Sequence, residues 1–338
     1  MPRLTVIIVT YNAGDRLNRC LEHLSRQTFS DFETIVVDNG SADGSIAAAR
    51  RHYPTAKFDD VGANLGFAAA NNRAAKTAAG EWLVFLNPDA YADPDWLQEL
   101  VAASGRYPWA DAFGSTQIRA NEPSLIDGAG DVFNVFGIPY RGHYGWPLES
   151  LPPEGECFSP CAAAAMYRKK AFDRLGGFDE RFFCYGEDVD LGFRLRLSGG
   201  RAVQVKAARV LHEGSGITGR RSEFSVYHGH RNRIWIAAKN LPGVLYWGTA
   251  PLRLAADFAL FAKHVSHGLG GAYWRAMDDG YRRAKEFRTD SHARRLRQYA
   301  RIADVATMID WSVLKLLKRQ ASIAPVGTLP EQEIVGVQ

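Results

Sequence analysis

Four polar clusters directly follow apolar runs in the N-terminal half of the chain: Thr10-Tyr11-Asn12, Asp38-Asn39-Gly40-Ser41, Asn64-Leu65-Gly66 and Asn87-Pro88-Asp89. An acidic run, Glu187-Asp188-Val189-Asp190, and an isolated His212 lie further on. Any one cluster reads as a turn, because Asn, Asp and Gly are turn formers. Their recurrence at the carboxyl ends of successive strands points to a ligand. Open parallel sheets bind ligands there, and folding alone requires no such repetition. Asp38 can accept a hydrogen bond from the imide N–H of uracil or thymine, and Tyr11 offers a ring and a hydroxyl beside a base. The plainer readings stand beside these: a capping Asp in an Asp-Asn-Gly turn, and an acidic helix start favoured by the dipole.

The elements that must position these residues are legible as alternating periods. Leu4 to Val9 is a continuous β-branched run, expected of a strand buried on both faces. Leu17, Cys20, Leu21 and Leu24 recur at helical spacing. Strands are predicted at Phe32 to Val37, Ala56 to Asp60 and Trp82 to Leu86, and helices at Asp43 to Arg51 and Phe67 to Ala79. Asp93-Pro94 is expected to open a further helix, with Asp93 as N-cap. Strand–helix alternation at this spacing implies an α/β fold with a doubly wound, mostly parallel sheet. From Ala120 to Glu156 the periodicity is lost, which predicts an irregular insertion near the site. Ala162 to Tyr167 and Ala202 to Val205 return to strand character. Glu187 to Leu197 reads as a helix with Asp190 and Arg194 as an i,i+4 ion pair.

Composition narrows the function. Hydrophobic residues make up 46% and charged residues 23% of 338 residues, which is ordinary globular usage. A net charge of +4 argues against a dedicated nucleic-acid binder. Cys20, Cys157, Cys161 and Cys184 do not form a disulfide framework or a spaced zinc set, so reduced thiols in a cytoplasmic protein are expected. No targeting segment is visible, and no stretch reaches the roughly 18 apolar residues of a membrane span.

The motifs TYN, VVDNGSADGS, NLGFAAANN, LNPDA and GFDERFFCYGEDVDLGFRLRLSG, in this order from about Leu4 to Gly216, together resemble the inverting glycosyltransferases of family 2. The wording of NPDA and GFDExFFxYGEDVDL is most similar to the rhamnosyltransferase-type branch. The resemblance implies a GT-A fold, with a Rossmann-like nucleotide-binding half at 1–118 and an acceptor and catalytic half at 119–220. It implies that Thr10, Tyr11, Asn12, Asp38, Asn39, Gly40, Asn64, Gly66, Asn87 and Asp89 lie along the donor nucleotide. Asp89 resembles the last acid of the DXD motif, which holds a divalent metal on the donor diphosphate; Asn87 departs from its first Asp. Hard oxygen ligands favour Mg2+ or Mn2+. His212 is implied as a second metal or diphosphate contact. Asp188 resembles the general base that takes the acceptor proton, with Glu187 orienting or sharing that work. The implied donor is a dTDP- or UDP-sugar, dTDP-L-rhamnose first. The implied acceptor is a cell-surface glycan or a lipid-linked glycan.

Two motifs remain. Gly214 to Gly219 satisfies GxGxxG, but it comes late, and Lys239 and Asn240 stand where a dinucleotide site wants an acid about 20 residues on. A loop closing over a diphosphate, with Arg220 and Arg221 beside it, is the expected alternative. Arg231-Asn232-Arg233 is similar to a recurring element after the family's catalytic core. Residues 221–320 read as a helical extension, and 321–338 as a disordered tail. In Pro251 to His264, Arg253, Asp257 and His264 form one polar stripe beside apolar faces. The plainer reading is a helical subdomain or dimer interface; the sharper one is peripheral attachment to an anionic membrane. Two rival functions are a non-catalytic glycan- or membrane-binding protein on the same fold, and a nucleotidyltransferase. The second wants a glycine-rich basic loop where TYNAGDR stands.

Overall fold

A computed structural model describes residues 1–214 and 222–326. The chain opens with β1 (Leu4–Thr10), α1 (Asp15–Ser25), β2 (Phe32–Asp38), α2 (Ser45–His52), β3 (Lys57–Asp60), α3 (Gly66–Thr77) and β4 (Trp82–Leu86). Every residue of β1 and β4 is buried, as continuous apolar runs require when helices cover both faces of a sheet. Next come β5 (Ala90–Ala92), α4 (Trp96–Arg106) and β6 (Ala112–Arg119). The helix α4 starts at Trp96 and not at Pro94. Asp93 acts through its backbone, its carbonyl accepting from the Trp96 N–H at 3.0 Å.

The expected irregular insertion contains order of its own: β7 (Ile126–Gly128), the hairpin strands β8 (Asp131–Phe133) and β9 (Pro139–Arg141), and the short β10 (Gly155–Glu156). Three-residue strands carry too little alternation to be read as periods. β11 (Ala164–Arg168), α5 (Lys169–Arg174), α6 (Glu187–Leu197) and β12 (Ala202–His212) complete the sheet layer. The main path runs β10-β12-β6-β11-β4-β1-β2-β3, and β5 and β7 pair with β12 and β6. β11 is antiparallel to both its neighbours and β10 to β12; the other strands of the path share one direction. The main path is thus mostly parallel, while the antiparallel pairings of β5 and β7 make the whole sheet mixed.

A helical region follows: α7 (Glu223–Asn240), α8 (Gly243–Gly248), α9 (Ala250–Val265), α10 (Gly270–Arg288), α11 (Ser291–Tyr299), α12 (Ile302–Met308) and α13 (Val313–Lys318). Its anchor is a buried polar knot. Asp190 on α6 accepts from Arg194 and Lys239, each at 2.8 Å, and from Asn240 at 2.8 Å. The expected Asp190–Arg194 pair is therefore present and also binds α6 to α7. Trp235 stacks on Phe287 with ring centroids 4.5 Å apart, joining α7 to α10.

Residues 321–324 do not begin a free tail as expected. The Ala324 N–H donates to Glu156 O at 2.9 Å and its carbonyl accepts from the Glu156 N–H at 2.7 Å. The edge of the two-residue strand β10 that does not face β12 supplies those partners, a pairing that composition does not reveal. No helix among the described residues is long and apolar enough to cross a membrane.

Candidate functional site

Parallel register places the first clusters side by side. Thr10 pairs with Asp38, and Asp38 with Asp60, so the turns after β1, β2 and β3 share one sheet edge. The loops then lock together through side chains. Asp38 Oδ1 accepts from the Ser41 N–H at 2.8 Å, and Asn12 Oδ1 from the Ala42 N–H at 2.8 Å. Asn39, nearly fully buried, donates to Asn64 Oδ1 at 2.8 Å and accepts from the Leu65 N–H at 2.9 Å. Tyr11 stands 40% exposed above this edge, its ring available to a planar ligand. Gly40 and Gly66 have φ +86° and +83°. A Cβ on Gly66 would meet Phe183 at 2.5 Å, so glycine there lets the turn before α6 lie against α3.

A second group forms where strands from distant sequence meet. His212 ends β12 opposite Ala90 of β5, which brings its ring to Asp89. His212 Nε2 lies 3.4 Å from Asp89 Oδ1, while Nδ1 bonds Asp127 Oδ2 at 2.7 Å. Asp127 is reached because β7 pairs with β6, the neighbour of β12. Asp127 also forms an ion pair with Arg141. Burial lowers the His212 pKa, but the bonds to Asp127 and Asp89 outweigh it and hold the pKa above the usual value. A carboxylate fixing one ring nitrogen while the other faces a second carboxylate is an arrangement that suits a divalent cation. Nε2 faces Asp89 at 3.4 Å, so the two side chains could share one such cation.

Next to this group is a cleft of about 560 Å³. Asn87, Asp127, Asp131, Arg141, Tyr144, Cys161, Glu187, Asp188 and Arg319 are among its lining residues. Of the residues expected from sequence, Asn87, Glu187 and Asp188 line it; the turns after β1, β2 and β3 do not. Glu187 and Asp188 open α6 behind Gly186 at φ +85°, where the helix dipole favours negative charge. Their electrostatics differ. Asp188 Oδ2 accepts from the Ala162 N–H at 3.1 Å and Oδ1 from the Val189 N–H at 2.8 Å. Burial raises its pKa and those N–H groups oppose the rise. Glu187 is pushed well above the carboxylate range, first by burial and then by the Asp188 charge. Asp131 is raised well above that range for the same reasons. Asp188 accepts from two backbone N–H groups, one of them from Ala162 outside its own helix.

Asp131, Cys161 and Asp188 each place a ligand atom within 4.8 Å of the others. This trio suits a hard cation poorly. Burial raises the Cys161 thiol and keeps it protonated, and the Arg141 guanidinium already interacts with all three.

Asn232 holds the turn that delivers the acidic run. Its amide nitrogen lies 3.0, 2.9 and 2.6 Å from the carbonyls of Phe182, Cys184 and Tyr185. Phe183 and Tyr185 adopt φ +65° and +71°, unusual for aromatic residues. The Arg-Asn-Arg element therefore acts on the site through the backbone. Glu213 was missed in the sequence. It accepts from Arg16 at 2.6 Å and from Tyr91 at 2.6 Å, tying the end of β12 to α1. Asp127, Asp131 and Arg141 were missed as well, because only β7 and the hairpin bring them to the cleft. The alternation in Asp127-Gly128-Ala129-Gly130-Asp131 was their one local signal. Arg220, Arg221 and most of the glycine loop lie outside the described residues. All four cysteines are free.

Known proteins share the sequence pattern and the fold. The family model for Glycosyl transferase family 2 matches residues 5–176. An N-acetylglucosaminyl-diphospho-decaprenol L-rhamnosyltransferase of Mycobacterium tuberculosis is 34% identical over 277 residues, covering 74% of this chain and 88% of that one. The O-antigen biosynthesis protein RfbC of Myxococcus xanthus is 32% identical over 63% of this chain and 17% of its own length. Among solved structures, the mannosyltransferase PcManGT from Pyrobaculum calidifontis, in complex with GDP-Man and Mn2+, superposes with a TM-score of 0.54 at 21% identity. That match covers 90% of this chain and 86% of that one. S. aureus TarS 1-349 gives a TM-score of 0.55 at 17% identity, covering 98% and 99%. The chain belongs to glycosyltransferase family 2, and its fold is that of a GT-A glycosyltransferase.

Proposed function

We propose that the enzyme transfers L-rhamnose from dTDP-L-rhamnose to a lipid-linked acceptor whose reacting sugar is N-acetylglucosamine on a diphosphate. The observation that carries the catalytic part is Asp188, a cleft carboxylate whose anion is stabilised by two backbone N–H groups. The sugar and acceptor follow from the mycobacterial relative, whose name specifies both.

In this reading the donor base lies by Tyr11 and Asp38, and its diphosphate reaches toward Asp89 and His212. The acceptor hydroxyl enters the cleft. Its oxygen forms a bond to the anomeric carbon as the bond from that carbon to the diphosphate oxygen breaks. The hydroxyl proton passes to Asp188, whose burial-raised pKa makes it a better acceptor than an exposed carboxylate. One displacement inverts the anomeric centre and releases the nucleoside diphosphate. Burial and the Asp188 charge push Glu187 and Asp131 well above the carboxylate range, which disfavours their anions more than burial disfavours that of Asp188. Asp89 and His212 would hold a divalent cation, with Asp127 orienting the imidazole. Bound there, Mg2+ or Mn2+ would offset the charge of the leaving diphosphate. Mn2+ in the mannosyltransferase structure supports the metal without choosing between the two.

The test is a matrix of donors against acceptors with Mg2+ or Mn2+ present. dTDP-rhamnose, UDP-glucose, UDP-galactose and GDP-mannose are each offered to a short-chain N-acetylglucosaminyl-diphospho-lipid. Product from dTDP-rhamnose alone is expected. Product from another donor and none from dTDP-rhamnose would overturn the sugar assignment. Nucleotide-sugar binding with no transfer to any hydroxyl would favour the non-catalytic reading.

A further inference from the structure

The helix α9 is amphipathic in the reverse sense. Its charged stripe points inward: Arg253 and Asp257 are each 8% exposed. Asp257 pairs with Arg233 on α7 and accepts from Tyr281 on α10, and Arg253 donates to Tyr246 O at 2.7 Å. Its apolar stripe points to solvent, through Leu254, Phe258 and Val265, with Phe258 at 75% exposure. Trp247 on α8 and Trp274 on α10 are exposed as well, and Trp274 lies 6.1 Å from Phe261 of α9. A helix that hides its ions and exposes its phenylalanine needs an apolar neighbour.

The short helix α13 repeats the pattern closer to the site. Trp311, Val313, Leu314 and Leu317 are exposed, with Leu317 at 75%. Exposed Lys318 and Arg319 follow directly. Arg319 also lines the cleft that contains Asp188, and its guanidinium lies 5.1 Å from the Tyr144 ring. α8 packs on both α9 and α12, and α12 leads into α13.

From these placements we infer that α9 and α13 form a docking face for an anionic lipid bilayer, with α13 at the rim of the catalytic cleft. Two observations select lipid over a second copy. A two-fold pairing sets a surface against itself, which would bring Lys318 and Arg319 toward their own copies. Residues 270–319, the segment that ends in α13, hold twelve Lys and Arg against six Asp and Glu, a net positive charge that complements negative headgroups. Exposed Trp, Phe and Leu beside basic side chains are the composition of an interfacial surface. Arg319 at the cleft then puts the membrane surface beside the entry for the acceptor. The inference rests on the lipid-linked acceptor proposed above.

The experiment is vesicle flotation of the full chain, using phosphatidylcholine vesicles with and without phosphatidylglycerol. Binding to the phosphatidylglycerol vesicles, weakened by salt, is expected. The double variant Leu314→Glu with Leu317→Glu, and separately Phe258→Glu, should each lower vesicle partitioning at least about tenfold. These side chains are exposed, so unchanged thermal unfolding is expected and is measured alongside. Absence of binding to both vesicle types, or binding unaffected by these variants, overturns the inference. A dimer in light scattering that the variants dissociate assigns the face to a second copy and overturns it too. Transfer to a short water-soluble acceptor separates the two proposals. Transfer without vesicle binding refutes only the docking face, whereas vesicle binding without transfer refutes the acceptor reading.

Discussion

Replacing Asn232 with alanine should reduce transfer by about 100-fold while leaving donor binding nearly intact. The asparagine is 1% exposed, and its single amide group serves the carbonyls of Phe182, Cys184 and Tyr185. An NH2 group has two protons, so two full bonds are shared over three acceptors. Leaving buried carbonyls unpaired costs about 1–3 kcal/mol each. The turn has a way to relieve this. Phe183 and Tyr185 are held at positive φ, a conformation costing on the order of 1–3 kcal/mol per residue. Released from Asn232, they return to ordinary backbone and carry Glu187 and Asp188 with them. The net loss of stability is then roughly 1–3 kcal/mol, smaller than the broken bonds alone suggest. A displacement of about 1 Å at a reacting group is enough for a 100-fold fall in rate. Urea unfolding, nucleotide-sugar titration and single-turnover transfer measure the three quantities separately. Transfer within about threefold of wild type, with the stability loss present, would refute the positioning argument.

Other expectations follow from the same geometry. Glu187→Gln should keep most of the activity, because burial and the Asp188 charge push the glutamate well above the carboxylate range and disfavour its anion; a loss as deep as that of an Asp188 variant would show that it shares the proton transfer. Asp127→Asn should weaken Mn2+ binding about 10–100-fold, read by calorimetry in the absence of donor, since the imidazole loses its orienting carboxylate. The His212 pKa is raised, so a proton competes with the metal at low pH; Mn2+ affinity should climb as pH rises through the raised pKa and then level off. Asp190→Asn should cost about 3–5 kcal/mol in urea unfolding, because buried Arg194 would lose its carboxylate and Lys239 would keep only Asp179.

The strands and helices before residue 110 were readable because each is long enough to show a period, and β1 and β4 are apolar throughout. The turns after them were readable because their residue types repeat. Asn39 shows the limit of that reading: it was expected along the donor, and its amide is spent joining the turns after β2 and β3. Asp127, Asp131 and Arg141 escaped because they sit on three-residue strands whose partners are distant in sequence. The inward-facing Arg253 and Asp257 escaped for another reason. The stripe was visible, but its direction depends on Arg233 and Tyr281 from neighbouring helices. Ala324 reaches Glu156 across 168 residues, and such an edge pairing leaves no compositional trace.

The central claim is that Asp188 removes the acceptor proton in sugar transfer. Asp188→Asn preserves the size of the side chain and removes its basicity, so a single comparison tests it. With dTDP-rhamnose, metal and the lipid-linked acceptor, the variant should bind donor with wild-type affinity and transfer at least about 1,000-fold more slowly. Transfer within about tenfold of wild type, at equal donor affinity, would contradict the assignment and leave the cleft without its base.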